Sequence, residues 1–186
     1  MKKLMTVLLV ACVGCSVYAY KQADLDQLLE TKSCPGGDLT NAPLRIARLS
    51  RADLYGADLR EANLRFTNLS EANLRGADVR FADLSFARLV GADLEGADLR
   101  LVNLYKVDLS GANLRGTNLE GAQTMGTYFR EANLEGANLK FVNLGEANLR
   151  QAIFKDTTMP DGNKYTGKGE DYRGPLQTGQ PNVETR

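Results

Sequence analysis

From Leu39 to Met159 the chain keeps one rhythm: every fifth position is a centre, and 20 of the 25 centres are Leu. The others are Val79, Thr124, Phe129, Phe154 and Met159. Two residues before each centre stands a small side chain, Ala in 17 of the 25 units and otherwise Thr, Val or Gly37. The residue between them is Asp or Asn in 18 units, as in Ala52-Asp53-Leu54 and Ala62-Asn63-Leu64. A helix needs apolar residues at alternating steps of three and four, and a flat strand needs them at every second residue. A step of five satisfies neither. Within one unit, however, the small residue and the centre lie two apart, so they share one face of a short extended segment while the Asp or Asn faces water. The pattern then resets, so the chain turns a corner every five residues. A chain that turns this regularly and keeps its leucines inside winds into a solenoid, with coils about 4.8 Å apart.

The same rhythm sets the length of a coil. Gly56, Gly76, Gly96, Gly116 and Gly136 recur at intervals of 20, as do Ala52, Ala72, Ala92, Ala112, Ala132 and Ala152. A coil of 15 residues would instead stack Gly56 on Glu71, Phe86 and Leu101, so four units per coil are favoured. Glycine recurring at one corner predicts a backbone geometry, or a close approach, that a Cβ would hinder.

The run Gly91-Ala92-Asp93-Leu94-Glu95-Gly96-Ala97-Asp98-Leu99-Arg100 resembles the pentapeptide-repeat proteins, and the likeness covers about two-thirds of the chain. It implies an all-β fold: a right-handed, four-sided parallel β-helix of about six coils, in keeping with the right-handed bias of parallel crossovers. At the strand spacing such a rod is roughly 30 Å long. Leu25, Leu28 and Leu29 at helical spacing predict a short amphipathic helix covering the first coil, as solenoid ends require. The expected division is therefore a signal peptide at 1–19, a capping helix and lead-in at 20–37, the β-helix at 38–160, and a flexible tail at 161–186. That tail opens on the turn signal Pro160-Asp161-Gly162 and is rich in Gly, Pro and polar residues. Tyr165 and Tyr172 are its candidates for folding over the last coil.

Met1-Lys2-Lys3 followed by the apolar run Leu4–Val13 has the form of a secretory signal, with Val17-Tyr18-Ala19 as an acceptable cleavage site. The run is too short to span a bilayer. Leu9-Val10-Ala11-Cys12 resembles a lipoprotein box, so acylation at Cys12 and a membrane tether stand as the alternative processing. Export is the expectation on either route. The compartment is a periplasm or, by resemblance to the many cyanobacterial members, a thylakoid lumen. Cleavage after Ala19 removes Lys2 and Lys3 and no acid, leaving a net charge of −2 on a chain that starts neutral. It also leaves Cys34 alone, either free or an intermolecular thiol. The lead-in Leu28–Leu39 resembles that of many exported relatives, which often read Cys-Pro-Gly-Cys; Gly37 stands where the second cysteine would be.

Candidate chemistry is sparse. The sequence contains no histidine, which removes Ser-His-Asp and Cys-His catalysis and His-containing metal sites. Its glycines follow the repeat rather than any phosphate-loop spacing. Asp58, Asp78 and Asp98 recur by register, with Arg60, Arg80 and Arg100 two residues on. This reads as a solvated, charge-balanced face rather than a carboxylate-based hydrolase. The Asn columns, such as Asn73, Asn113 and Asn133, are expected to stack amide on amide between coils. No catalytic residue, cofactor or metal is predicted.

Departures from the repeat carry more information. One corner column holds Phe81, Leu101 and Phe141, and the next holds Ile46, Phe66 and Phe86. They bracket one side that also carries Tyr105 and Met125. An apolar strip of this kind marks a contact site, for a protein partner or a second copy, unless the side chains only stack on one another. A further irregularity lies at Gln123–Phe129, where Thr124 replaces a leucine and Phe129 enlarges the next centre. The expected role is a non-enzymatic exported interaction module. The family also contains cytoplasmic members that imitate DNA and shield a topoisomerase, but balanced charge and an export signal oppose that reading here and also oppose nucleic-acid binding.

Overall fold

The computed structural model describes residues 20–165. The expected signal peptide at 1–19, the alternative lipoprotein box and the expected tail beyond Tyr165, with Tyr172, lie outside the described residues. From Ser33↔Asp53 to Asn138↔Thr158, parallel bridges join the middle residue of each unit to the one 20 positions on, save between Gln123 and Asn143. Four units therefore complete one turn of the chain, and residues 20 apart stand one above the other. The stacking begins one unit ahead of Leu39, because Cys34 occupies a centre position and is only 3% exposed.

Each unit is built the same way. Asp53 N–H donates to Lys32 O on the coil below (2.9 Å), while Leu54 N–H and Gly56 N–H donate to Asn73 O and Arg75 O on the coil above (2.8 and 2.9 Å). Ala57 N–H closes the corner on Leu54 O (3.0 Å). The outward Asp or Asn also serves the turn. Its side-chain oxygen accepts the N–H two residues on, as in Asp58 Oδ1 from Arg60 (3.2 Å) and Asn103 Oδ1 from Tyr105 (3.0 Å). This short side-chain loop favours Asp and Asn where the chain leaves a strand for a turn.

Every corner residue from Gly36 to Asp156 except Glu146 adopts the left-handed backbone conformation, with φ between 54° and 70°. The glycines at 56, 76, 96 and 116 answer this conformation rather than a close approach, since a Cβ there would meet nothing within 4 Å. The expected close approach is therefore not the reason for that column.

Inside, the centre and small positions form one continuous core. Four small positions are Thr, and each buries its hydroxyl against a leucine carbonyl of the coil below: Thr67 on Leu44, Thr117 on Leu94, Thr127 on Leu104 and Thr157 on Leu134 (2.6–3.1 Å). A buried hydroxyl bonded in this way avoids the cost of an unpaired polar group. Phe129, wholly buried, fills its centre.

Both ends carry extra structure. The helix α1, Gln22–Thr31, buries Leu25 and Leu28 and ends at Lys32 in the left-handed conformation, whose N–H donates to Leu28 O (2.8 Å). Asp24 accepts Asp38 N–H (2.8 Å), and Lys21 N–H donates to Asp38 O (3.0 Å), so the start of the chain satisfies one edge of the first coil. On the next side Pro43 stands where an N–H would face the open edge, and proline has none to offer. At the other end the chain turns at Pro160–Gly162 and pairs back, Lys164 bridging Thr158 antiparallel and Tyr165 N–H donating to Thr157 O (2.8 Å). The Tyr165 ring lies 5.7 Å from that of Phe154, so residues 161–165 cover part of the last coil.

Candidate contact face

The corner geometry decides which side chains stand out from the rod. On the side containing residues 82–85 and 102–105, the two flanking corners present Ile46, Phe66 and Phe86 on one edge and Phe81, Leu101 and Phe141 on the other. All six are exposed, from 37% at Phe86 to 68% at Phe141. Tyr105 is half-buried between the edges, and Met125 is exposed one coil above it. The seven candidate contact residues singled out from the sequence, with Met125 beside them, thus lie on one side.

They are also organised. Phe66 and Phe86 stack with centroids 4.9 Å apart and planes 3° from parallel, and Tyr105 meets Phe86 edge-on at 5.3 Å. Arg45 and Arg65 lie over Phe66 (5.3 and 5.8 Å), Lys106 over Tyr105 (5.2 Å) and Lys140 over Phe141 (4.8 Å). A strip of rings edged by cations is the composition favoured at interface hot spots. Leu101 leans along its corner over Gly121, where a Cβ would come within 2.8 Å of Leu101 Cδ2, so this glycine makes room for a neighbour.

The backbone argues that the strip is not there for stability. A left-handed residue with a Cβ costs about 1–2 kcal/mol, and a β-branched one such as Ile46 (φ 66°) is an outlier. Aromatic stacking returns about 0.5–1.5 kcal/mol per pair, less than the two left-handed residues of the Phe66–Phe86 stack cost together. Corners that carry glycine avoid the cost altogether.

The side before it, in chain order, is ionic. Arg60 Nε donates to Asp58 Oδ1 (2.8 Å) and lies 3.7 Å from Asp78; Arg80 pairs with Asp78 and approaches Asp98 in the same manner; Arg100 closes on Asp98 (2.7 Å). The hydrogen bonds from Arg60 hold the Asp58 carboxyl below the ordinary carboxylate range. At Asp98 burial pushes upward, but the hydrogen bonds and charge of Arg100 prevail and its carboxyl is also lowered. A neighbouring side holds a second ladder, in which Arg75 reaches Glu95 (3.4 Å) and Lys155 reaches Glu135 (2.8 Å). The expected amide stacks are mostly something else: Asn73, Asn103 and Asn113 donate to Asp53, Asp83 and Asp93 one coil below, and Asn138 on Asn118 makes an amide-to-amide step. The carboxylate is the stronger acceptor and stands directly below in the same column.

Cys34 does not face outward. Its sulfur lies where a Cβ on Gly37 would stand, 2.1 Å from that ideal position, so glycine at 37 gives the thiol its space. Burial, reinforced by Asp24, pushes the thiol pKa up. A buried, protonated thiol is a poor nucleophile and a poor candidate for the intermolecular pairing considered from the sequence. Among the described residues no group of Cys, Asp and Glu is arranged to hold a metal ion, and no helix is long and apolar enough to cross a membrane.

The family model for pentapeptide repeats matches residues 47–85, 82–121 and 126–159, with 8 copies. Among solved structures, the pentapeptide repeat protein Rfr23 from the cyanobacterium Cyanothece 51142 is 27% identical over 70% of this chain and 97% of its own, with a TM-score of 0.57. A pentapeptide repeat protein from the Arabidopsis thaliana thylakoid lumen is 31% identical over 55% of this chain and 72% of its own, with a TM-score of 0.53. The plasmid-mediated fluoroquinolone resistance protein QnrB1 is 24% identical over 61% of this chain and 68% of its own; its TM-score of 0.38 is too low to bear on function. No curated protein matches the chain by sequence. With the parallel stacking described above, the family match and the two likenesses with TM-scores above 0.5 give the fold as a right-handed β-helix.

Proposed function

The chain belongs to the pentapeptide-repeat family, and from that premise we propose that it is an exported, non-enzymatic structural module that binds a protein partner or a second copy through its aromatic side. One observation carries the reading. Ile46, Phe66, Phe81, Phe86, Leu101 and Phe141 are exposed on one side, at corners where a Cβ is costly, while the side before it in chain order is laced with ion pairs. An exposed apolar strip with a polar surround is what a contact surface requires. Export follows from the signal-like segment at 1–19, with a periplasm or a thylakoid lumen as destination. The thylakoid-lumen relative lends the second some weight. The finer architecture belongs to the same reading: about six coils over 38–160, preceded by a capping segment at 20–37 and followed by a tail at 161–186.

Mimicry of DNA needs a dense negative surface. Here each acidic column of the first ladder is interleaved with arginines, so that alternative lacks its electrostatic basis. A carboxylate-based hydrolase needs two carboxylates facing a concave site, whereas Asp58, Asp78 and Asp98 are tied to arginines on the outside of a rod.

The test is sedimentation velocity, together with pull-down from envelope extract, of the wild type and Phe66→Ser/Phe81→Ser/Phe86→Ser. The expected outcome is loss of a dimer or of a retained partner while the circular-dichroism spectrum is unchanged. A wild type that stays monomeric and retains nothing the triple variant loses would sink the reading.

A further inference from the structure

Charge is not spread evenly round the rod. Over the first four coils, the two sides that meet at the corner of Ile46, Phe66, Phe86 and Lys106 comprise residues 42–50, 62–70, 82–90 and 102–110. They carry Arg45, Arg48, Arg65, Arg88 and Lys106 against only Asp83 and Asp108, so three cations stay in excess. The two opposite sides, residues 33–41, 53–61, 73–81 and 93–101, meet at the corner of Gly56, Gly76 and Gly96 and carry eight carboxylates against four arginines. Arg51 and Glu71, on the corner between the two halves, pair with each other (2.9 Å). On the basic half Arg65 reaches Asp83 (3.4 Å), whereas Arg45, Arg48, Arg88 and Lys106 are exposed and form no ion pair among the described residues.

The rings at this corner are already engaged with one another. Phe66 and Phe86 stack on neighbouring coils with planes 3° from parallel, Arg45 and Arg65 hold their guanidinium groups over Phe66, and Tyr105 closes on Phe86 at right angles. A parallel stack turns its rims outward, and the rim of an aromatic ring carries its positive partial charge. A carboxylate is therefore met twice here, by unpaired cations and by ring rims. A phosphate polymer meets the same cations, but its bases need open ring faces to stack on, and these faces are occupied. The surface fits an apolar side chain flanked by carboxylates.

We propose that this corner docks an acidic segment of a partner protein, whose apolar side chain rests on Ile46, Phe66 and Phe86 while neighbouring carboxylates pair with Arg45, Arg48, Arg88 and Lys106. Arg48 and Arg88 stand two coils apart, about 10 Å at the strand spacing, which a segment of five residues spans. The inference rests on the aromatic side being a contact surface and adds the chemistry of what it contacts. Because the cations lie beside the rings rather than within ion pairs, the contact carries a salt dependence that apolar burial alone lacks.

Amide chemical shifts of the full chain, labelled with nitrogen-15 and titrated with acetylated, amidated pentapeptides, test the proposal. Glu-Leu-Glu-Leu-Glu should shift the amides of Ile46, Phe66, Phe86 and Lys106 and leave Gly56, Gly76 and Gly96 in place. Gln-Leu-Gln-Leu-Gln, Glu-Ser-Glu-Ser-Glu and a five-nucleotide oligothymidylate should each bind at least tenfold more weakly. Raising NaCl from about 50 mM to about 500 mM should weaken the first peptide by a similar factor. Arg48→Gln/Arg88→Gln should weaken it at least threefold with an unchanged circular-dichroism spectrum. Glutamate and glutamine peptides that bind equally at these amides would overturn the acidic partner while leaving the aromatic contact surface standing. Oligothymidylate binding as tightly as the glutamate peptide would assign a phosphate polymer instead and overturn the proposal. Shifts at the glycine corner, no shifts at all, or an arginine variant with wild-type affinity would overturn it too. The sedimentation and pull-down comparison judges the aromatic side itself, whatever the peptides do.

Discussion

The ionic side and the aromatic side of this rod share one backbone. Leu99 on the first and Leu84 on the second are equally enclosed, at 0% and 1% exposure, and their N–H groups donate to the coil above at 2.7 and 2.9 Å. The sides differ only outside, where Asp98 and Arg100 answer to Asp83 and Ser85, and at the corners. The centre, the small residue and the Asp or Asn between them specify the coil. The two residues that follow each centre are left to specify what the coil meets. Predictions that separate these two layers test the comparison directly.

The largest effect should be blind to the side. Leu84→Ala and Leu99→Ala each open a cavity in the same continuous core and should each cost about 2–5 kcal/mol. The measurement is urea unfolding, compared between the two variants. Repeat arrays can lose two-state behaviour, so equal shifts of the transition are the quantity to read. A loss confined to one side would mean that the two are not built alike.

A smaller effect should appear at a corner of the aromatic side and have the opposite sign. Ile46 holds φ 66° with a β-branched side chain. Ile46→Gly relieves that conformation and should stabilise the fold by about 1 kcal/mol, since the side chain is 57% exposed and gives up little burial. Gly56→Ala on another corner should lose a similar amount, although a Cβ there meets nothing. If Ile46→Gly destabilises, the strip contributes packing and its claim to be a contact surface weakens.

The five-residue step made the coil legible, because periodicity fixes which side chains point inward whatever the outer residues are. The same arithmetic put seven separated residues on one side. Other features depend on contacts that a linear pattern does not display. Cys34 continues the register by one unit, but Pro35-Gly36 reads as a lead-in, and only stacking on Leu54's coil reveals a buried centre. The second role of Asp and Asn, accepting the N–H two residues on, is hidden because the polar residue already suits a water-facing position. Thr124 and Phe129 stood out as substitutions. The absence of backbone bonds between residues 122–126 and 143–145 did not, since the sequence there, Val142-Asn143-Leu144, keeps the repeat.

The smallest effect should belong to the ionic side alone and should depend on pH. Asp58 and Asp98 have folded-state pKa values below those of free carboxyls, Asp58 through the hydrogen bonds of Arg60 and Asp98 through those of Arg100, against the opposing pull of burial. The folded state therefore binds fewer protons than the unfolded state in acid. The ladder's contribution is fully present above the ordinary carboxylate pKa of about 4 and disappears as pH falls through the lowered values. Both carboxylates remain about 30% exposed and their arginines more so, so solvent screening keeps the gain modest. Thermal unfolding at neutral pH and at about pH 3 should show a larger drop for wild type than for Asp58→Asn/Asp98→Asn. Phe66→Ser/Phe86→Ser should follow the wild-type acid response, because no carboxylate takes part in that stack. Should the aromatic variant lose its acid sensitivity instead, the two sides are coupled through the coil and the division between a common interior and independent outer faces fails.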